Sequence, residues 1–361
     1  MNDANELISF IASMSGEGNL RVEENLGEGY VRLRVSEAER RQAKHDIQHV
    51  EDIVIEMLRN ARDAGADKVY LATTKEEGVR TLLFLDNGSG VPQDMQERIF
   101  DARVTSKLES MKMDRWGVHG RGMALFSIKQ NTDEARVVSS GVDLGSSFKV
   151  RVATERLCER ADQSSWPQAV KDEDGRYVCA RGPHNIIRAA CEFALEELRC
   201  CDVYLGSPSE IAATLYAQAS SRLDTSRLLF IDDECELPVI DRLGLASDAE
   251  DFIRICSGLG LEMSERTAHR ILSGQIKPVR GVTARLLRER DSTSHAPAPI
   301  DLAKDRRGLR IAKDDMAQFS RAVERDFNDL AARYYLNLCG DPKIRVSRDR
   351  ITVTFDLAKE E

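Results

Sequence analysis

Glu56-Met-Leu-Arg-Asn60-Ala-Arg-Asp63-Ala64, Asp86-Asn-Gly88-Ser-Gly90-Val-Pro92 and Gly117-Val-His-Gly120-Arg121-Gly122 follow one another within one domain length of a 361-residue chain. The first block belongs on a helix. Ile53, Met57, Ala61 and Ala64 recur at helical spacing and share a buried stripe. Glu56, Asn60 and Asp63, at i, i+4 and i+7, stack along a neighbouring stripe. A carboxylate and an amide side by side at a cleft can polarise a water and ligate a hard cation through oxygen. Taken alone, the same block also reads as the solvated polar face of a surface helix.

The second and third blocks narrow the reading. Thr81-Leu-Leu-Phe-Leu85 is a short apolar run, predicted to be a buried strand, and it ends on Asp86. Gly88 and Gly90 permit positive φ and close backbone approach, and Pro92 fixes the exit. A carboxylate at such a strand end can accept a hydrogen bond from the amino group of a base. A hairpin turn is the other reading, since Asn-Gly is a strong turn signal. Gly120-Arg121-Gly122 leads into Met123-Ala-Leu-Phe-Ser-Ile128, predicted to be a helix whose first amides would face an anion. By itself that glycine pattern describes a flexible loop equally well. Thr105-Ser-Lys107 lies between the last two blocks.

Together these segments resemble the ATP-binding domain shared by DNA gyrase, the gyrase-type chaperones, histidine kinases and MutL, the GHKL superfamily. Leu85 to Pro92, Ile99-Phe100 and Thr105-Ser-Lys107 look most like histidine kinases. Gly117-Val-His-Gly120 looks more like gyrase, and Glu56-x-x-x-Asn60 with Asp63-Ala-Gly-Ala66 is similar to MutL. The resemblance covers roughly residues 40–153. It implies a Bergerat-type α/β sandwich with ATP and Mg²⁺ as cofactors. It implies Glu56 as general base, Asn60 as the Mg²⁺ ligand and Asp86 as the reader of adenine. Gly88 and Gly90 become nucleotide-approach glycines, and Gly120 and Gly122 the phosphate loop. Asp63, Thr105, Lys107, Gly117 and Arg121 join the nucleotide site. Residues 101–118 would form a lid, with Trp116 covering adenine or pegging the lid down. Gly145-Ser146-Ser-Phe148 would close the adenine side, with Ser146 where the family usually has Thr.

Composition sets outer bounds. The chain is long enough for two to three domains. With 42% hydrophobic and 31% charged residues it is ordinary for a soluble protein. A formal charge of −9 argues against indiscriminate coating of nucleic acid. No apolar run approaches the roughly 20 residues of a membrane span, and the acidic N-terminus lacks signal-peptide order. A cytoplasmic location and no membrane partner are expected. The eight cysteines include no Cys-x-x-Cys, so neither zinc nor a redox pair is expected. Cys200-Cys201 reads as buried free thiols or, alternatively, a vicinal oxidant sensor.

Around the central blocks, Glu6–Ala12 is a helix candidate and Gly29–Val35 alternates like a strand. Ser36 caps a charged helix expected to run continuously into the Glu56 block, with His45 and His49 on its solvated surface. Strands over Val69–Thr73, Thr81–Leu85, Ala135–Ser139 and Ser147–Ala153 are expected to carry one helical layer. Asn185–Leu198, Asp202–Leu205, Pro208–Ser221 and Leu228–Ile231 read as a second helix–strand unit. Lys277 is the nearest match to a lysine reaching the γ-phosphate from outside the ATP domain.

Asp248–Ser257, Gly258-Leu-Gly-Leu261 and Ser264–Leu272 have the layout of a helix-turn-helix and resemble repressor-type proteins. From Arg266 to Arg290 seven basic residues stand against Glu289 alone, a local footprint for phosphates. Arg266 and Arg270 share one helix face and are the candidate DNA contacts. A helical bundle packed on the ATP domain is the alternative. The C-terminal part is expected to hold a helix over Lys313–Leu338 and a hairpin of Lys343–Val346 with Arg350–Phe355.

The expected organisation is an ATP-binding domain with N-terminal extension over residues 1–155, a second α/β unit over 156–245 and a helix-turn-helix-like segment over 246–290. A linker at 291–300 and a long helix plus terminal hairpin over 301–361 follow. The expected function is a Mg²⁺-dependent ATPase, a nucleotide-gated switch on DNA or an unidentified protein partner, with an ATP-dependent homodimer as one assembly. A protein kinase of the histidine-kinase or anti-sigma type, or a DNA-binding regulator that only senses ATP, are the alternatives.

Overall fold

Leu82, Leu83, Phe84 and Leu85 are all buried, although successive residues of a strand point to opposite faces. Both faces of their sheet must therefore be covered. The computed structural model describes residues 22–106, 112–119, 122–160, 162–198, 200–223 and 233–287. Beyond these it describes 316, 319–320, 322–324, 327, 336–338, 342–346 and 351–359. The chain divides into two compact units, Met1–Asp291 and Ser292–Glu361.

The first unit opens with strands β1 (Val22–Gly27) and β2 (Tyr30–Leu33), then helices α1 (Glu37–Asp46) and α2 (Val50–Asp63). Strands β3 (Lys68–Glu76) and β4 (Val79–Asp86) follow, then β5 (Val104–Thr105) and the hairpin β6 (Lys112–Asp114) with β7 (Gly117–His119). Next come α3 (Ala124–Asn131), β8 (Glu134–Ser140) and β9 (Ser146–Ala153). A second hairpin joins β10 (Gln168–Lys171) to β11 (Tyr177–Arg181), and α4 (Ile186–Glu196), β12 (Asp202–Gly206) and α5 (Pro208–Arg222) continue the chain. Helices α6 (Ala249–Gly258) and α7 (Glu265–Leu272) come last, with a further helical stretch at residues 282–287.

The central sheet has the order β12-β3-β4-β9-β8. Strand β12 runs parallel to β3, and the other neighbours are antiparallel. On one face Val69, Leu71, Leu82, Phe84, Phe148 and Val150 pack against Ile53, Met57 and Leu58 of α2, Ile128 of α3 and Phe193 of α4. On the other, Tyr70, Ala72, Leu83 and Leu85 meet Ile211 and Leu215 of α5, Phe252 and Ile255 of α6, and Ala268 and Ile271 of α7. One expectation is corrected here. The sheet has helices on both faces, not one layer, because α5, α6 and α7 fold back over the second face. Strand β12, from the stretch 156–245, joins the same sheet, and the Leu228–Ile231 strand lies outside the described residues.

The helix expected to run from Ser36 to the Glu56 block is broken. Ser36 does cap α1, in a reciprocal capping box with Glu39. The chain then leaves the helix at Ile47, which is extended and buried. The Asp52 carboxylate accepts from the amides of Gln48 and His49 at 2.8 Å each, starting α2 afresh. His45 is exposed and His49 half-buried at the new N-terminus.

At the outer strand β8 the register slips between Val137 and Ser139. The buried Arg242 donates to Ser139 Oγ at 2.6 Å there. The cysteines described are free; Cys200 is exposed and Cys201 buried, with burial pushing the Cys201 thiol up to about 12. In the second unit, Leu336–Leu338 is a strand paired with Leu357–Lys359, so a helix does not reach Leu338 as expected. Lys343–Val346 pairs with Ile351–Thr354. The Glu6–Ala12 helix candidate and the turn at 347–350 lie outside the described residues. Among those described, no helix is long and apolar enough to cross a membrane.

Candidate functional site

The α2 stripe, the end of β4, the start of β9 and the N-terminus of α3 surround one cavity of about 530 Å³. Glu56 and Asn60 line it from α2, and Asp86 and Phe84 from β4. Gly90, Thr105, Gly122, Ser146 and Phe148 complete the part expected from sequence. Of the other expected residues, Gly88 stands against Asp86, and Asp63 turns from the cavity to accept from Arg62 Nε at 2.9 Å. Gly117 is in the β6–β7 hairpin. Lys107, Gly120 and Arg121 lie outside the described residues.

Asp86 is 4% exposed, and its Oδ1 accepts the Gly88 amide at 2.8 Å. Ser146 stands opposite it in the β4–β9 register. The Ser146 hydroxyl is 3.0 Å from Ser140 Oγ, which also accepts the Val91 amide and donates to the Gly145 carbonyl. A buried carboxylate among fixed hydroxyls is an acceptor suited to an amino group.

Gly88 and Gly90 also meet a packing constraint. Gly90 has φ +70, and a Cβ there would lie 1.8 Å from the Gly141 carbonyl oxygen. At Gly88 it would come within 2.8 Å of Ala64 Cβ. Both glycines let backbone pack on backbone, Gly90 on the 141–145 turn and Gly88 on the end of α2. Helix α3 begins at Ala124 with Met123 as N-cap and no side-chain capping hydrogen bond. Gly122, Met123, Ala124 and Leu125 all line the cavity there, so the amide end of α3 borders the space an anion would fill.

Sequence reasoning missed several lining residues: Tyr30, Gln42, Asp46, Arg59, Ser89 and Ser106. Arg59 could have been flagged, because it stands three residues after Glu56 and so shares its side of the helix. Its side chain is 3% exposed and donates to Glu56 Oε1 at 2.6 Å. It also grips both oxygens of Asp114, at 2.9 and 3.0 Å. Burial opposes the charge on Arg62, but hydrogen bonds to Glu197, Asp63 and Asp114 hold it protonated, above its usual range. Trp116 stacks on Phe193 of α4, with centroids 6.3 Å apart, and also lines the cavity.

Arg266 and Arg270 are not brought to this cavity. They are exposed on α7, beside Glu265, His269, Ser273 and Gln275, and α7 packs on the other face of the sheet. Lys277 is exposed in the same segment and does not line the cavity. Ser264 caps α7, and the turn before it is fastened to the sheet. Ser147 Oγ donates to the Leu259 carbonyl at 2.7 Å, and Lys149 pairs with Glu262 at 2.8 Å.

For a metal, the described residues hold no cluster of three or more His, Cys, Asp or Glu side chains. Glu56 and Asn60 offer two side-chain oxygens at the cavity. That fits Mg²⁺ as it is commonly bound, by one or two protein oxygens with phosphates and waters completing the octahedron.

Residues 47–156 match the family described as "Histidine kinase-, DNA gyrase B-, and HSP90-like ATPase". The chain is 34% identical over 113 residues to the DNA mismatch repair protein MutL of Staphylococcus aureus, a match covering 28% of this chain and 17% of that protein. It is 28% identical over 104 residues to the MutL of Borreliella afzelii, covering 28% of this chain and 16% of that protein. The matched region thus spans about one-sixth of these relatives. Residues 47–156 are a GHKL-type ATPase domain, and the mixed α/β fold agrees with that assignment.

Proposed function

We propose that the chain is a Mg²⁺-dependent ATPase that acts as a nucleotide-gated switch on DNA or a protein partner. The observation that carries this reading is the convergence of Glu56, Asn60, Asp86, Gly122 and Ser146 on one cavity that a helix N-terminus without a side-chain cap also lines. Asp86 accepts the amino group of adenine, and the α3 amides face the phosphates. Asn60, together with the phosphates, would hold Mg²⁺, which would supply neutralisation of charge on the phosphate chain. Glu56 takes a proton from the attacking water.

The test is Glu56→Ala. It should bind ATP as the parent does and lose turnover by about 10²–10⁴-fold, the usual worth of a positioned base. Turnover equal to the parent's would remove Glu56 from the base role, whereas ATP binding without turnover in the parent itself would replace hydrolysis by ligand sensing. Incubation with γ-labelled ATP separates hydrolysis, which releases free phosphate, from the kinase reading, which labels protein.

DNA as the partner is favoured by the exposed Arg266 and Arg270 on a Ser264-capped helix. The names of the MutL relatives, which refer to DNA mismatch repair, point the same way.

A further inference from the structure

A chain of linked charges lies beside the cavity. Arg59 joins Glu56 at 2.6 Å to both carboxylate oxygens of Asp114. Asp114 is 55 residues away in sequence, on β6 of the hairpin at the cavity wall. The same Asp114 accepts from Arg62 at 3.1 Å and from the Trp116 amide at 3.0 Å. Arg62 Nη1 reaches on to Glu197 at 3.0 Å. The hairpin is pinned beside this group by Arg115 on Glu192 at 3.2 Å and by Trp116 on Phe193. Glu192 and Phe193 belong to α4 and Glu197 follows it, all outside the matched segment 47–156. A planar guanidinium fixes a carboxylate's direction as well as its charge. Glu56 is therefore oriented through a residue that is itself oriented by the docked hairpin.

We propose that Arg59 is a positioning residue for Glu56, and that Asp114 makes its grip depend on the β6–β7 hairpin being seated on α4. The inference rests on the proposed role of Glu56 as base. Seating the hairpin aims the carboxylate at the attacking water; lifting it takes Asp114 from Arg59 and loosens the guanidinium's hold on Glu56. Helix α4 and Glu197 thereby become a place from which the rest of the chain, or a partner, can set the ATPase rate without touching the nucleotide.

A mutant cycle on the full chain tests this. Turnover, ATP affinity by calorimetry and thermal midpoint are measured for Asp114→Asn, Glu56→Gln and the double variant, with Arg59→Lys as a second probe of the same link. Asp114→Asn is near-isosteric; it should lower the midpoint, because Arg59 and Arg62 lose a buried counter-charge. Assayed well below that midpoint, it should keep ATP affinity while lowering kcat by about 10- to 100-fold, as misplacement of a catalytic group does. In the Glu56→Gln background it should cost almost nothing further. Arg59→Lys, which keeps the charge and loses the fork, should also lower kcat at unchanged affinity. If Asp114→Asn lowers turnover equally in both backgrounds, or only through weaker ATP binding or unfolding at the assay temperature, Asp114 is a structural tie and the inference is overturned. A Glu56→Gln enzyme as active as the parent would instead sink the base role itself, a different and recognisable result.

Discussion

Asp86 Oδ1 is already engaged by the Gly88 amide, which makes Asp86→Asn a sharp substitution. The asparagine would keep its carbonyl on Gly88 and so turn its NH₂ toward the cavity, where the proposed adenine amino group also donates. ATP affinity should fall by about 1–3 kcal/mol, roughly 5- to 150-fold, with the fold intact. Calorimetric titration with ATP and Mg²⁺ checks it, and unaltered affinity would remove Asp86 from the adenine role. Glu159 offers a pH test of stability just past the matched segment. Burial disfavours its charge, but hydrogen bonds from Lys75 and Arg80 prevail and hold the carboxyl below its usual range. A folded value below the unfolded one means stability that is full above the unfolded value and lost as pH falls through the folded one. Glu159→Gln should therefore cost about 1–3 kcal/mol at neutral pH. In urea denaturation the gap from the parent should narrow as pH falls below the ordinary carboxylate range. Residue identity told most about which side chains gather at the cavity, since Glu56, Asn60 and Asp86 all line it. It told least where a partner lies far along the chain: nothing in the local spacing of Arg59 announces Asp114.

At the scale of elements, the apolar run Leu82–Leu85 was legible as a buried strand, and its unbroken character already implied cover on both faces. Which element supplied the second cover was not, because α5 to α7 reach it only through tertiary folding. The break between α1 and α2 had a signal too, in Asp52 three residues after His49, but the helical propensity of the flanking charged segments outweighed it. Helix α7 raises a question of partner. It buries Ala268 and Ile271 against the sheet and exposes Arg266 and Arg270. If it meets DNA, replacing both arginines by alanine should weaken binding and flatten its salt dependence by roughly one unit for each phosphate no longer neutralised. Fluorescence anisotropy of the full chain with duplex DNA, across a salt series with and without ATP, measures this. No salt-dependent binding in either state would make α6 and α7 a protein-contact surface.

For the whole molecule, the cavity and both apolar cores fall within Met1–Asp291. A fragment ending at Asp291 should fold cooperatively and bind ATP within about threefold of the full chain, about 0.7 kcal/mol. A calorimetric comparison of the two decides it; loss of binding would give residues 292–361 a part in the site. The register slip in β8 has a consequence for how this protein behaves in a crowd. An outermost strand with regular spacing is an open template on which another molecule can add a strand of its own. The slip at Val138 breaks that spacing, and Arg242 holds Ser139 from the side. Self-association by strand addition is discouraged along this edge, so the chain can be concentrated without this edge seeding fibres.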